Sequence, residues 1–165
     1  MKALVTYYSE TGNTEKLARA IYEAISIDKQ IKPIQDLTDT DGYNIIFYGF
    51  PVIAHSVPGK AQGLIKKLPQ GQKVAFFSTH GSLRDGHLPK QAFEHAISLS
   101  SKIKVLGHFG CRGEVSAKLL DSLRQKPEHG AWVEEAMSAQ GHPDQHDLAD
   151  AKKFALQMLA FSANK

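Results

Sequence analysis

The sequence predicts an α/β protein, a three-layer α/β/α sandwich in which helices cover both faces of a parallel sheet. Two observations predict it. Short apolar runs rich in β-branched and aromatic residues alternate along the chain with segments whose apolar residues recur at helical spacing. The runs are nearly continuous in apolar character, which is typical of strands buried on both faces. Alternating strands and helices favour a parallel sheet, because parallel neighbours are joined by a crossover that is usually a helix.

Five segments are predicted as strands. Four are strongly apolar and cover residues 3–8, 45–50, 74–78 and 103–107. The fifth, at 31–34, is weaker and contains a proline, which an edge strand tolerates.

Helical spacing predicts helices around residues 17–25, 61–68, 92–97 and 148–159. Two shorter helices, at 117–124 and 131–139, interrupt the step from the fifth strand to the last helix. We therefore expect one domain over residues 1–165, with a helical insertion at about 116–141.

Bulk composition excludes several classes of protein. The hydrophobic content of 42% and charged content of 22% are ordinary for a soluble globular protein. No apolar run approaches the ~18 residues that span a bilayer, and no signal-peptide pattern is present, so we expect a cytoplasmic protein without membrane insertion. The net charge of +3 is dispersed. Without a basic stripe interleaved with aromatic residues, we expect no nucleic-acid partner.

The turn after the first predicted strand is the most informative stretch. It opens the first predicted helix and reads Ser9-Glu10-Thr11-Gly12-Asn13-Thr14. A helix N-terminus offers unpaired backbone N–H groups and a partial positive charge, which favour an anion such as phosphate. The hydroxyl and amide side chains add further donors, and the glycine lets the backbone wrap closely around the anion.

This turn carries no Lys or Arg. It is neither a triphosphate-binding loop with Gly-Lys-Ser/Thr nor the G-x-G-x-x-G fingerprint of dinucleotide binding. A phosphate held by neutral donors suits a tightly bound monophosphate cofactor. The simpler interpretation is that these side chains only cap a helix, but the full six-residue loop favours the phosphate site.

Residues 8–14 resemble the phosphate loop of flavodoxins, whose pattern is T/S-x-T-G-x-T/S. Residues 43–52 are similar to the third strand of that family and the first loop that flanks the flavin. Residues 74–81 are similar to its fourth strand and the start of the second flanking loop. The resemblance covers most of the chain. It implies a five-stranded sheet of order 2-1-3-4-5 and bound flavin mononucleotide (FMN).

The resemblance also implies which residues bind FMN. The residues expected at the phosphate are Ser9, Glu10, Thr11, Gly12, Asn13 and Thr14. The residues expected beside the ring are Pro51, Val52, Ile53 and Ala54. The residues expected at the polar edge of the ring are Thr79, His80, Gly81 and Ser82. No catalytic residue is assigned.

The sequence departs from the family at the flavin ring. Family members often place a Trp and a Tyr against the ring, but residues 51–58 and 79–87 contain neither, and the one tryptophan, Trp132, lies in the insertion. Two alternatives remain for contact with the ring. Either His55, His80 or His87 stacks on it, or it lies on Ile53 and Val57 with its other face open.

Three functions follow. The first is an FMN-binding electron-transfer protein that shuttles electrons between redox partner proteins, a reductase and an acceptor. The second is an FMN-dependent reductase of a quinone or another conjugated organic acceptor, since an uncovered ring face leaves room for a substrate. The third is a flavin-free interaction module. The sequence offers no second nucleotide site, which favours the carrier.

Two further features of the sequence are candidate reactive sites. Cys111, the single cysteine, excludes an internal disulfide and is expected just beyond the fifth strand beside Arg112, a neighbour of the kind that lowers a thiol pKa. Inert packing is the more common role of such a cysteine. His142 and His146 are four residues apart, but Pro143 separates them and no Cys or Glu cluster accompanies them, so we expect no metal site.

Overall fold

The computed structural model describes residues 1–164 and contains a five-stranded sheet. Its strands are β1 Lys2–Tyr7, β2 Asp28–Pro33, β3 Ile45–Pro51, β4 Lys73–His80 and β5 Lys104–Arg112. Neighbouring strands are parallel and follow the spatial order β2-β1-β3-β4-β5. The expected strand order is therefore confirmed. Lys165, the last residue of the expected domain, lies outside the described residues.

Six α-helices occur within residues 1–164. They are α1 Asn13–Ala24, α2 Gly59–Lys67, α3 His87–Ser98, α4 Ala117–Arg124, α5 Gly130–Met137 and α6 Gln145–Ala163. Helices α1 and α6 pack on one face of the sheet, and α2 and α3 pack on the other, which confirms the three-layer architecture. None of the described helices has the length and apolar character needed to cross a membrane.

Both faces of the central strands are buried, which explains their nearly continuous apolar sequence. On one face, Phe47 of β3 meets Phe154 of α6 edge to face, with ring centroids 6.4 Å apart, and Leu17 of α1 joins the same core. On the other face, Tyr48 and Phe76 meet with ring centroids 6.2 Å apart in the core beneath α2 and α3. Burial on both sides fixes the sheet between two helical layers.

Strand β5 is longer than the predicted segment 103–107. Gly107, His108 and Gly110 interrupt the apolar run. The sequence pattern therefore predicted that the strand ends earlier than it does. The strand continues because its backbone stays paired with β4 as far as Arg112.

This correction moves Cys111 from a loop into the sheet. The expected position just beyond the fifth strand is wrong, because Cys111 pairs with Thr79 of β4. Its side chain is completely buried in the core under α1 and α6.

Candidate functional site

The loops that follow β1, β3, β4 and β5 meet at one edge of the sheet and enclose a pocket. This is the carboxyl edge, at the point where the strand order reverses between β1 and β3, and open parallel sheets bind ligands there. Predicted residues on the wall are Ser9, Glu10, Thr11, Asn13, Thr14, Pro51, Val52, Ile53, Thr79, His80 and Gly81. Residues that the sequence prediction missed are Gly113, Glu114, Val115, Ser116 and Leu119. The fold thus brings three separate predicted segments together and adds a fourth.

The start of α1 is open toward an incoming ligand. Gly12 precedes the helix with φ 92°, in the left-handed region that glycine adopts without strain. Among residues 1–164, no side chain caps this helix. The first N–H that donates to a helical acceptor is that of Lys16, which binds the Gly12 carbonyl at 3.0 Å. Because a helix leaves its first N–H groups without partners, those of residues 13–15 remain available to an anion.

Two side chains of the 9–14 loop tie it to neighbouring loops. The hydroxyls of Thr14 and Thr79 are hydrogen-bonded at 2.8 Å and are buried. The Asn13 amide donates to the Glu114 carbonyl at 2.9 Å. Gly113 has no side chain to obstruct this contact, since a Cβ there would lie 2.9 Å from Asn13 Nδ2. These contacts hold the loops after β1, β4 and β5 in one arrangement.

The remaining polar side chains of the 9–14 loop differ in their availability. The Ser9 hydroxyl accepts a hydrogen bond from the Gly12 N–H at 3.1 Å. The Tyr8 hydroxyl donates to Glu10 at 2.7 Å, and this bond raises the pKa of Tyr8. Thr11 is exposed, and its hydroxyl forms no hydrogen bond within the described chain. The Thr11 hydroxyl can therefore bond a ligand without losing a bond, and Ser9, whose hydroxyl only accepts, keeps its own O–H to donate.

The loop after β3 ends in a tight turn. The backbones of Ile53 and Ser56 bond to each other at 3.1 and 3.0 Å, with Ala54 at φ 48° and His55 at φ 61° between them. Two consecutive left-handed residues are typical of a type I′ turn, and without glycine each costs about 1–3 kcal/mol. The turn leaves Ile53 39% exposed on the pocket wall. Val57 is instead buried in the core, so its proposed contact with the ring is wrong.

The loop after β4 is held from behind by α5, an element of the predicted insertion. The Trp132 indole N–H donates to the Ser82 hydroxyl at 3.2 Å, and the Glu135 carboxylate accepts from the Leu83 N–H. The Arg112 guanidinium donates to the carbonyls of Gly81 at 3.3 Å and Glu135 at 2.7 Å. The Ser82 hydroxyl, the Gly81 carbonyl and the Leu83 N–H are therefore all used in the support of this loop.

The insertion also supplies part of the pocket itself. Leu119 of α4 is 47% exposed and lies on the wall with Val115 and Ser116. The sequence carries no motif at these positions. The only available signal was that the loop after the fifth parallel strand must emerge at the same edge as the others.

Cys111 is an inert core residue. Burial, the dominant cause, raises the pKa of its thiol far above the ordinary value, and the nearby Arg84 opposes this only in part. The neighbouring Arg112 does not lower it, so that expectation is wrong. A thiol held protonated in the core is a poor nucleophile.

His142 is joined by Asp144 and Asp147, each offering a ligand atom within 4.8 Å of the others. One Asp147 oxygen accepts from the His142 ring at 2.6 Å and from the Asp144 N–H at 2.9 Å. The Asp144 side chain in turn accepts from the first backbone N–H groups of α6. A capping box accounts for these contacts. The His146 side chain is not part of the cluster.

A five-stranded parallel sheet of this order, with helices on both faces, defines the flavodoxin-like fold. The family model described as "Flavodoxin domain" matches residues 4–156, and the chain belongs to this family. It is 30% identical, over 171 residues, to the flavodoxin-like domain-containing protein BilS of Clostridioides difficile strain CD3, covering 96% of this chain and 97% of that protein.

Solved structures have the same fold. A flavodoxin from the domain Archaea is 18% identical and matches with a TM-score of 0.65, covering 99% of both chains. A flavoprotein from Lactobacillus acidophilus NCFM, solved in complex with FMN, is 23% identical and matches with a TM-score of 0.55, covering 66% of this chain and 92% of that one. At these sequence identities, the structural similarity shows that the fold is shared and shows nothing more.

The support by α5 leads to a prediction for Trp132→Phe. The substitution keeps an aromatic ring but removes the donor to the buried Ser82 hydroxyl, and an unmatched buried polar group costs about 1–3 kcal/mol. We expect the amides of residues 80–83 to exchange hydrogen roughly 5-fold to 150-fold faster if the loop becomes easier to open by that amount. Native-state hydrogen exchange measures this, with the β2 amides as an internal reference. Unchanged exchange in the loop would show that the bond does not hold it.

Proposed function

We propose that this protein binds FMN at the carboxyl edge of the sheet and carries electrons between redox partner proteins in the cytoplasm. The observation that carries the proposal is the open start of α1 beside the unpartnered Thr11 hydroxyl. A phosphate monoester supplies the acceptors that these donors lack, and the positive end of the helix favours its charge. The loop provides no cation, as suits one phosphate rather than a di- or triphosphate.

The residues around the pocket fit the other parts of FMN. Ile53 and Leu119 present exposed apolar side chains suited to the ring. The carbonyls of residues 79–82 are already hydrogen-bonded within the chain, so this loop has only backbone N–H groups to offer the pyrimidine edge. The loop contacts described above hold these groups in place before any ligand arrives. When bound, FMN supplies the one- or two-electron chemistry, and the chain binds, orients and shields it.

Glu10 was expected at the phosphate, but its carboxylate is engaged by the Tyr8 hydroxyl. A carboxylate would repel a phosphate. We therefore propose that Glu10 contributes only backbone to the site.

Two observations support a carrier. The chain contains no dinucleotide fingerprint. Large apolar side chains are exposed on three loops or helices of this edge, namely Ile53, Leu83 and Leu119. Exposed apolar groups near a redox site give a partner protein a surface to approach. The FMN-containing relative adds support for the choice of cofactor.

A reductase acting on a conjugated organic molecule is the second candidate. It is favoured by the composition of the pocket wall, which within the described residues contains no Trp, Tyr or Phe. A ring covered by aliphatic side chains on one side leaves the other side open to a substrate.

Thr11→Val tests the phosphate assignment. The two side chains have nearly the same shape, and a hydrogen bond to a charged group contributes about 1.5–3 kcal/mol, so we expect FMN to bind the variant roughly 10-fold to 150-fold more weakly. Riboflavin, which has no phosphate, is expected to bind both proteins equally. Fluorescence titration of the apoprotein measures both ligands.

Thr38→Val, at an exposed threonine on another loop, is the matched control and should bind FMN like the natural protein. Equal affinity of the natural protein for FMN and riboflavin would contradict the phosphate site.

Turnover separates the carrier from the reductase. We expect the purified FMN-loaded protein alone not to oxidise NADH or NADPH at an appreciable rate when a quinone is added, because a carrier depends on a separate reductase for its electrons. Addition of a flavodoxin reductase should start the reaction. Rapid oxidation of either nicotinamide nucleotide by the protein alone would favour the second candidate.

A further inference from the structure

Helix α4 is held in place by few apolar contacts. Among the six described α-helices, it is the one that has no buried residue, although Leu119, Leu120 and Leu123 give it apolar character. The neighbouring α5 buries Val133 and Ala136. A short helix depends on packing for its stability, and a segment with few buried contacts opens at a low free energy. Helix α4 is therefore the part of the insertion that is easiest to displace.

Few hydrogen bonds join α4 to the rest of the molecule. Within the described part of the chain, its one side-chain bond to another element runs from Arg124 Nη2 to the Met137 sulfur at 2.8 Å, and sulfur is a weak acceptor. The chain before α4 is held more firmly. The Glu114 N–H donates to the His142 carbonyl at 2.8 Å, and the Glu114 carbonyl accepts from Asn13 at 2.9 Å. Helix α5, which comes after α4, is anchored to the loop after β4. Helix α4 thus lies between two fixed segments and can move while both stay in place.

Helix α4 also lies between two cavities. On one side, Leu119 faces the pocket at the carboxyl edge, whose volume is ≈ 170 Å³. On the other side is a cavity of ≈ 220 Å³ between α4 and α5, the α5-side cavity. Its lining residues on α4 are Ala117, Leu120, Asp121 and Arg124. Sites for small molecules measure roughly 300–1,000 Å³. The pocket at the carboxyl edge must therefore widen to enclose a flavin, and the α5-side cavity gives α4 the room to withdraw.

We propose that α4 is a mobile lid over the pocket at the carboxyl edge. It moves into the α5-side cavity as FMN enters, and Leu119 then packs against the ring. The proposal rests on the proposed function, because the lid needs a cofactor to close upon. It also gives a use to Leu119, which is 47% exposed when the pocket is empty. Lids and binding loops belong to the least stable segments of a protein, as α4 does here.

Hydrogen exchange in the full chain tests the lid first in the apoprotein. We expect the α4 amides of residues 120–124 to exchange roughly 10-fold or more faster than the α5 amides of residues 134–137, because α4 opens locally. Saturation with FMN should then slow the α4 amides by roughly 10-fold more than it slows the α5 amides, because the bound ring gives Leu119 a partner. The comparison with α5 removes the general stabilisation that any ligand of the folded chain confers.

Ala117→Leu tests whether α4 moves into the α5-side cavity. Ala117 is exposed and lines this cavity, and leucine is nearly as good a helix former as alanine. The larger side chain fills the cavity and holds α4 over the pocket. We therefore expect FMN to associate roughly 10-fold more slowly, since association is slow when binding requires a conformational change. Stopped-flow quenching of flavin fluorescence measures the rate.

Ala131→Leu is the matched control, because Ala131 is exposed on α5 and lines neither cavity. It should associate with FMN as fast as the natural protein does. Equal association rates for Ala117→Leu and Ala131→Leu would overturn the lid. FMN that binds without a change in α4 exchange relative to α5 would overturn it too, and would leave the FMN site standing. Failure of FMN to bind at all would overturn both proposals. If Ala117→Leu does not fold, hydrogen exchange in the natural protein decides.

Discussion

The structure of the pocket depends on the unmet hydrogen-bonding capacity at the start of α1. A capping side chain can satisfy the first N–H groups of a helix, as Ser116 does for α4 and Asp144 for α6. Helix α1 has no such cap among the described residues, and the Ser9 hydroxyl accepts from the Gly12 N–H, which precedes the helix. In the proposed function these donors bind the FMN phosphate, and a ligand that binds only the folded chain would stabilise it.

The scaffold keeps this open helix start in register with the rest of the pocket. The Thr14–Thr79 and Asn13–Glu114 bonds join the first loop to the loops after β4 and β5, and Val52 N–H binds the Thr79 carbonyl at 2.8 Å. Helix α5 then fixes the loop after β4 from the outer side. Because the loops are hydrogen-bonded to one another, they are already ordered in the folded protein. A ligand therefore binds with little further loss of conformational entropy, which favours tight binding.

Apolar periodicity was sufficient for the layers and for the two short helices at 117–124 and 131–139, because it reports burial directly. The strand order came from the resemblance of residues 8–14, 43–52 and 74–81 to flavodoxins. The 9–14 loop was recognisable because a run of short polar residues before a helix has a specific physical use. The support by Trp132 and the wall residue Leu119 could not be predicted, since both depend on how the insertion packs against a distant loop. The misplacement of Cys111 has another cause: backbone pairing carried β5 through glycines that end an apolar pattern.

Backbone amide chemical shifts give the most direct test of the open helix start. The ¹⁵N-labelled apoprotein is titrated with FMN and, separately, with inorganic phosphate, while the amides of residues 11–15 are followed by NMR. A hydrogen bond to phosphate moves an amide proton strongly downfield, so both ligands should shift the amides of residues 13–15, and riboflavin should leave them nearly unchanged. If these amides do not move with FMN, or move equally with riboflavin, the first turn of α1 does not hold the phosphate.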